Sequence, residues 1–215
     1  MPVVTMIAGP NGSGKSTLTF HLMSRGIAFG EYLNADEIAK HMAGPAEEVA
    51  AGAQSEVRRR RERALREGRD VCFETVMSHN SHLEFLKVAK KVGFQVRLLF
   101  IATEDPIISE GRVANRVLHG GHDVPIDRIA NRYHRSLANL PSAIRSADYS
   151  LIFDNSNVYD PFRTLAEIQQ GHLRHLNVRR GQANGPVSAW DVPIWWLKIL
   201  PMILGASHLE DGPIT

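Results

Sequence analysis

Residues 3–17 read VVTMIAGPNGSGKST, an apolar run followed by the spacing G-x-x-x-x-G-K-[ST]. This order predicts a buried strand, a glycine-rich turn and the start of a helix, which is the context in which this spacing forms a phosphate-binding loop. Such a loop turns its backbone N–H groups inward, and the following helix adds the positive end of its dipole. The stretch therefore predicts a site for nucleotide phosphates, made by Gly9, Pro10, Asn11, Gly12, Ser13, Gly14, Lys15, Ser16 and Thr17.

Two side chains of this loop have predicted roles of their own. Lys15 is expected to reach the β- and γ-phosphates of ATP, and the Ser16 hydroxyl is expected to bind Mg²⁺. ATP and Mg²⁺ are thus the predicted cofactors. The loop by itself does not show what is done with the phosphate, so the acceptor has to be argued from the rest of the chain.

Length and composition set the broad class of the protein. A chain of 215 residues can bury one core with an appendage, and its net charge of +2 is too small to favour a nucleic-acid partner. Cys72 is the only cysteine, so no internal disulfide can form, which fits a reducing compartment. We expect no signal peptide and no membrane partner, because the apolar stretch at residues 193–205 is too short to span a bilayer. A cytoplasmic location follows as the expectation.

Strand-like and helix-like segments alternate along the chain. This alternation predicts an α/β fold of the P-loop NTPase type, kinase-like, with a mainly parallel five-stranded sheet flanked by helices. A long helix is expected at residues 46–67, and the last helix of the core at residues 161–170. The predicted kinase domain covers residues 1–176, with a helical lid at about 105–145. Residues 177–215 are predicted to form a linker and a Trp-rich C-terminal segment that docks on the core.

Polar residues follow each predicted strand. Ligands of open parallel sheets bind beyond the carboxyl ends of the strands, so these residues are expected to share one rim with the phosphate loop. Asp36 is the favoured general base for an acceptor hydroxyl, although it or Asn34 could instead cap a helix. Glu74 competes as a base or as a ligand of the substrate hydroxyl. The remaining candidates for substrate contacts on this rim are Asn34, Thr75 and Thr103.

A second acidic contact for the metal is not evident. The fourth predicted strand, which ends at Ala102, has no aspartate directly at its end in the position of a Walker B acid. Phosphate oxygens and waters are therefore expected to complete the Mg²⁺ shell around Ser16.

The arginines fall into two groups. The run at residues 58–63 favours a solvated helix face over a nucleic-acid surface, because glutamates are interleaved and aromatic residues are absent. Arg112 and Arg116 share one face of a helix, and Arg128, Arg132 and Arg135 repeat the arrangement on the next helix. The Gly120-Gly121 pair between them predicts a hinge, so the two helices together predict a lid that neutralises phosphate charge.

His119 and His122 flank the Gly120-Gly121 pair. No third nitrogen or sulfur ligand stands at a suitable spacing, so a metal site is disfavoured. A hinge or substrate-contacting role is expected for His122 instead.

In the order of these segments the chain resembles the zeta toxins and their chromosomal relatives, which are P-loop small-molecule kinases. The matching segments share their order along the chain and are Gly9 to Thr17, residues 34–38, Phe73-Glu74-Thr75, residues 112–117 running into 120–125, Arg132-Tyr133 and Asp154-Asn155-Ser156. The resemblance covers roughly residues 3–160, and the ordered set carries it rather than any single segment beyond the P-loop.

The resemblance implies transfer of the ATP γ-phosphate to a hydroxyl of a UDP-N-acetyl sugar, typically UDP-N-acetylglucosamine. It implies that Asp36 is the base and that Arg116 and Arg132 contact the γ-phosphate, although Arg112 or Arg128 could exchange roles with them. Arg112 and Asn155 are assigned to the ATP side. An antitoxin protein is a possible partner. No family motif matches residues 190–215.

Two alternatives remain open from the sequence. The same fold could act on a different metabolite or nucleotide. A nucleotide-dependent switch or nucleic-acid-associated ATPase is less favoured, because neither a guanine-binding Asn-Lys-x-Asp motif nor a transporter signature is present.

Overall fold

The structure is a computed structural model that describes residues 1–119, 125–177, 179–180 and 190–204. The strands of the described chain are β1 (Val3–Ala8), β2 (Glu31–Leu33), β3 (Val71–Thr75), β4 (Gln95–Ala102), β5 (Tyr149–Asp154), β6 (Arg163–Gln169), β7 (His172–Leu176), β8 (Arg179–Arg180) and β9 (Trp190–Asp191). The helices are α1 (Lys15–Ser24), α2 (Ala35–Ala39), α3 (Ala46–Glu67), α4 (Ser81–Lys91), α5 (Pro106–Leu118), α6 (Ile126–Ser146) and α7 (Ile194–Leu204).

The main sheet has the strand order β2-β3-β1-β4-β5-β6-β7. The first five of these strands are parallel to one another, with β1 between β3 and β4. Because β1 leads directly into the P-loop, the loop lies at the centre of the carboxyl edge of the parallel strands. The predicted α/β fold of the P-loop kinase type is confirmed.

The expected helix at residues 161–170 is wrong, and so is the count of five strands. This segment forms β6, which pairs antiparallel with β5 and then with β7, so the main sheet has seven strands. Gln170 and Gly171 form the connection with φ of 53° and 77°, and two-residue turns with both φ positive join antiparallel strands. Leu165 and Ile168 are buried against the core.

The hydrophobic core lies on both faces of the sheet. The larger cluster includes Phe73, Phe100 and Leu98 on the sheet and continues into α7. Trp196 of α7 is fully buried, and the ring centroids of Trp195 and Phe100 are 6.2 Å apart. The Ile194 N–H donates a 2.9 Å hydrogen bond to the Glu104 carboxylate and so attaches the start of α7 to the root of α5.

Two expectations fall partly or wholly outside the described residues. Positions 181–188 of the predicted linker lie there, as does the Gly120-Gly121 hinge. Among the helices that are described, none combines the length and the apolar character needed to cross a membrane.

Candidate active site

The P-loop backbone adopts a conformation that needs glycine. Gly9, Gly12 and Gly14 have φ of 148°, 70° and 100°, all in the region that side chains disfavour. A Cβ atom on Gly9 would lie 1.9 Å from the Ile101 carbonyl oxygen, and one on Gly14 would lie 2.5 Å from the Asn155 amide nitrogen. The glycines therefore allow the loop to pack directly onto the ends of its neighbouring strands.

Three polar side chains of the P-loop, those of Asn11, Ser13 and Lys15, are placed to bind a ligand. The Lys15 ammonium donates to the carbonyl oxygens of Gly9 and Pro10, at 2.9 and 2.8 Å. Burial lowers the pKa of Lys15 to about 8, against the opposing effect of Glu74. Among the residues that the structure describes, no hydrogen-bond partner is found for the buried side-chain oxygens of Asn11 and Ser13. A glycine-rich loop whose lysine ammonium lies against the carbonyl oxygens of the same loop fits the phosphates of a nucleotide.

Asn155 and Arg112 brace this loop from the side of β5. The Asn155 amide donates a 2.8 Å hydrogen bond to the Ser13 carbonyl, and its backbone N–H donates to the Ala102 carbonyl. Arg112 of α5 donates to the Asn155 carbonyl at 2.8 Å. Burial lowers the pKa of Arg112, with Asp154 opposing the shift. Both residues thus lie beside the P-loop.

Glu74 is the centre of a hydrogen-bond cluster on the other side of the loop. Its carboxylate accepts from the hydroxyls of Ser16 and Thr19, both at 2.8 Å, and from the Tyr32 hydroxyl at 2.6 Å. The Asn34 amide adds a donor at 3.2 Å and also reaches the Tyr32 and Ser16 oxygens. Burial, followed by Glu74, raises the pKa of Tyr32, so this hydroxyl stays protonated and donating.

This cluster shows that the acid nearest to Ser16 belongs to β3 rather than to β4. The absence of an acid at the end of β4 is therefore no obstacle, because β3 pairs with β1 on its other side and brings Glu74 to Ser16. Glu74 faces the P-loop, whereas the sequence led us to expect it on the side of the acceptor. Thr19 and Tyr32 were not singled out from the sequence. The one sequence signal for Thr19 is its spacing: it stands one helical turn after Lys15 and so lies on the same face of the helix.

The Ser16 and Glu74 oxygens suit a hard cation. Ser16 Oγ and the Glu74 carboxylate are the ligand types that Mg²⁺ prefers, either directly or through water. In the part of the chain that is described, no group of three or more His, Cys, Asp or Glu side chains could hold a metal by itself. A metal here would depend on the phosphates and waters for its remaining ligands, as the residues of an Mg²⁺–nucleotide site do.

Asp36 and Arg116 face each other across the rim. The Arg116 guanidinium lies 3.9 Å from Asp36 Oδ2, with side chains that are 41% and 61% exposed. Asn34, rather than Asp36, caps α2, because its side-chain oxygen accepts from the backbone N–H groups of Asp36 and Glu37. Asn34 thus caps the helix, and the exposed Asp36 carboxylate lies beside Arg116 of α5.

The other predicted site residues lie in different surroundings. Thr103 is fully buried, and its hydroxyl is engaged by the Asp105 carbonyl and the Ser109 hydroxyl beneath α5. Thr75 is buried and bonded to His82. The Arg132 side chain forms no hydrogen bond or ion pair within the described ranges, and His122 lies outside them.

The basic run at residues 58–63 divides into two environments. Arg59 and Arg60 pair with Glu56 and Glu31 on the helix surface, as a solvated face requires. Arg61 instead is 5% exposed, which corrects the expectation that the whole run faces solvent. The spacing could have indicated this, because Arg61 stands four residues after Val57 and three before Ala64 on the buried face of α3, but its charge favoured an exposed position.

The geometry defines the class of this protein as a P-loop kinase-type α/β fold. The family model described as an AAA domain matches residues 4–141, and the chain belongs to this family. No curated protein matches the sequence.

Solved structures share the fold at low sequence identity. A chain of the PezAT chromosomal toxin–antitoxin system of Streptococcus pneumoniae aligns with a TM-score of 0.55 and 15% identity, over 78% of this chain and 72% of that one. The AvrRxo1-ORF1:AvrRxo1-ORF2 structure with sulphate ions gives a TM-score of 0.62 and 16% identity, and the structure of that pair with ATP gives 0.61 and 18%. Both alignments cover 80% of this chain but only 60% of the neighbouring chain. The resemblance to zeta-toxin-like P-loop kinases is thereby confirmed at the level of the fold.

Proposed function

We propose that this protein is an ATP- and Mg²⁺-dependent kinase that transfers the γ-phosphate to a hydroxyl of a small molecule. The observation that supports this most directly is the arrangement of two carboxylates around the P-loop. Glu74 is bonded to Ser16 on the metal side, and Asp36 stands at the open rim beside Arg116. A nucleotide switch needs no exposed carboxylate of this second kind, whereas a kinase needs one to orient its acceptor.

The proposed division of labour follows from these positions. Lys15 exchanges its loop carbonyls for the phosphates, which are far better acceptors for an ammonium group. Bound Mg²⁺ would supply electrostatic stabilisation of the phosphates, with Ser16 and Glu74 as the residues that hold it. Asp36 accepts the proton of the attacking hydroxyl, and Arg116 turns from Asp36 towards the charge that develops on the transferring group. Arg132 is the second arginine proposed for this charge.

For the acceptor we propose a UDP-N-acetyl sugar, UDP-N-acetylglucosamine first among them. This choice rests on the resemblance of the ordered motifs, supported by the fold shared with a chromosomal toxin–antitoxin protein. Transfer to another metabolite or nucleotide fits the same geometry, since the rim is polar and open. The acceptor is therefore the variable that the first experiment has to resolve.

The test is mass spectrometry of the products after purified protein is incubated with Mg-ATP and a pool of UDP-sugars. We expect a mass gain of one phosphate on UDP-N-acetylglucosamine. The same assay on a metabolite extract provides the second arm: a gain on some other compound, with all UDP-sugars unchanged, would keep the kinase and replace its acceptor. ATP consumption without any phosphorylated acceptor in either pool would contradict the kinase itself.

A matched pair of variants tests the base. Asp36→Asn should lower the transfer rate by about 10²–10⁴-fold while ATP binding is retained, because the amide still accepts a hydrogen bond but cannot take the proton. Glu37→Gln is the control, since Glu37 lies one residue further on and its carboxylate pairs with Lys40 at the surface. Near wild-type turnover of the Asp36 variant would show that another group is the base.

We also propose an antitoxin protein as a partner, on the basis of the resemblance to the zeta toxins. One structural neighbour comes from a toxin–antitoxin system, which makes the growth phenotype worth measuring. Expression of this chain should arrest bacterial growth, and co-expression of an antitoxin encoded beside its gene should restore growth. Normal growth on expression of a protein active in the transfer assay would argue that it is a metabolic kinase without an antitoxin.

A further inference from the structure

A buried arginine and a histidine form a polar chain that the proposed reaction does not use. Arg61 NH1 lies 3.2 Å from His82 Nδ1, and His82 Nε2 lies 3.0 Å from Thr75 Oγ1. Arg61 also lies over the rings of Phe73 and Phe85, with its guanidinium carbon 5.1 and 4.3 Å from their centroids. These hydrogen bonds thus connect α3 through α4 to Thr75, the last residue of β3.

The charge of Arg61 is unusual for a buried position. No carboxylate of the described residues pairs with it, and its Nε is buried without a hydrogen-bond partner. Burial lowers the pKa of Arg61 to about 10, which still leaves the group charged at neutral pH. Buried cations normally require an acidic partner, so a cation held only by two rings and a histidine suggests a role other than stability.

The arginine fixes the tautomer of His82. A guanidinium can only donate, so Nδ1 must accept and the proton must reside on Nε2, from which it is donated to Thr75. Burial, and then Arg61, lower the pKa of His82 to about 4, so the ring stays neutral at physiological pH. His82 therefore acts as a fixed donor towards the Thr75 hydroxyl.

Thr75 in turn holds the loop that follows β3. Its Oγ1 accepts the backbone N–H of Met77 at 2.9 Å, and its carbonyl accepts the N–H of Gly9, the first residue of the P-loop, at 3.2 Å. Met77 has a φ of 57°, which a residue with a side chain adopts only when its surroundings enforce it. Asn139 of α6 donates to the Met77 carbonyl at 2.9 Å and joins the same loop to the lid.

The loop lies on the flank of the site that Asp36 also occupies. Its residues Ser78, His79 and Asn80 line a cavity of about 350 Å³ together with Arg135, Ala138 and Asn139 of α6. Strand β2, which leads to Asp36, is the direct neighbour of β3. A ligand whose hydroxyl reaches Asp36 would have this loop beside it, whereas a nucleotide bound by the P-loop would lie at the end of β1.

We propose that Arg61 and His82 are positioning residues for the phosphoryl acceptor, acting through Thr75 on the loop of residues 76–80. This inference rests on the proposed kinase function. The hydrogen bonds of Arg61, His82 and Thr75 hold Met77 in its strained conformation, and the Met77 carbonyl joins the loop to α6 through Asn139. Loss of the hydrogen bonds that link Arg61, His82 and Thr75 should weaken binding of the acceptor. ATP binding should be preserved, because Glu74 and Asn155 hold the nucleotide side of the site independently.

The test is steady-state kinetics on four variants with the acceptor identified by the transfer assay. Arg61→Met keeps the packing on the rings and removes one hydrogen bond, that to His82. His82→Leu keeps the volume and removes two, those to Arg61 and Thr75. We expect both to raise the acceptor KM about tenfold and to leave the ATP KM within about twofold. His82→Gln should behave like the wild type, because its amide oxygen can accept from Arg61 and its amide nitrogen can donate to Thr75. Arg59→Met, on the exposed face of α3, is the matched control.

Hydrogen exchange of the backbone amides at residues 75–80 gives a second readout that needs no acceptor. Exchange should accelerate in His82→Leu and remain slow in His82→Gln. Equal loss of acceptor and ATP binding, or a His82→Gln variant as impaired as His82→Leu, would show a merely structural role and overturn the inference. A wild type that phosphorylates nothing would overturn the proposed function and this inference together, whereas an active wild type with unaffected variants would overturn the inference alone.

Discussion

Replacement of Glu74 by glutamine tests how the donor half of the site is built. The carboxylate accepts hydrogen bonds from Ser16, Thr19, Tyr32 and Asn34. Glutamine has the same shape but keeps only one oxygen. Whichever way the amide is turned, its NH₂ group faces two of the four donors. We expect the amide to turn its oxygen towards Ser16 and the Asn34 nitrogen, which can only donate, so that the NH₂ group faces the Thr19 and Tyr32 hydroxyls, which must rotate to accept from it.

The expected loss follows from these contacts. A hydrogen bond to a charged acceptor contributes about 1.5–3 kcal/mol, and a donor left unpaired in a buried place costs about 1–3 kcal/mol. Rotation of the hydroxyls recovers part of this. We therefore expect Glu74→Gln to lower the free energy of unfolding by about 2–4 kcal/mol, which corresponds to a fall in Tm on the order of 10 °C for a chain of this size.

The assay is urea unfolding of the free protein followed by thermal shift with and without Mg-ATP. Glu47→Gln is the control, because Glu47 is exposed in the first turn of α3. The Mg²⁺-dependent part of the ATP-induced shift should also shrink, since Glu74 supports Ser16 directly. A free energy of unfolding equal to that of the control would refute the view that the cluster around Glu74 holds β2, β3 and α1 together.

Three further outcomes are expected. Gly9→Ala should abolish ATP binding or destabilise the fold by more than about 2 kcal/mol, measured by calorimetry and urea unfolding, because its Cβ would overlap the Ile101 carbonyl. ATP affinity should fall by up to about tenfold per pH unit above about pH 8, since the lowered pKa of Lys15 means that the ammonium form is lost there and must be regained on binding; a flat titration to pH 9.5 would argue against this contact. Trp196→Ala should cost about 3–5 kcal/mol in urea unfolding, whereas Leu197→Ala, at a side chain that is 48% exposed, should change stability far less.

The elements that local signals specify agree with the structure. The P-loop context was evident because its glycines, lysine and serine are consecutive and lie between an apolar run and a helix. Helix α3 spans Ala46–Glu67 as expected, since its apolar spacing and the glycine after it are local features. Asn34 caps α2, whereas residue propensity alone left the choice between Asn34 and Asp36 open.

The errors arose where a short segment supports two periodicities. Residues 163–169 contain apolar residues at spacings that a helix or a strand could use. The Gln170-Gly171 turn decides for a strand, because the two positive φ values reverse the chain onto β5. A glycine preceded by glutamine is a weak hairpin signal, so the antiparallel extension of the sheet could not be read with certainty from the sequence.

The sequence by itself determined the chemistry of the donor site and the general fold, because both depend on consecutive residues and on local periodicity. Only the tertiary structure decided which side chains meet. Glu74 reaches Ser16 because β3, and not β4, supplies the acid beside the P-loop. Arg61 is buried beside His82 because α3 packs that face onto β3 and α4. These pairs join residues 58 and 21 positions apart in the chain, and no local pattern encodes the strand order or the packing of α3 against α4 that brings them together.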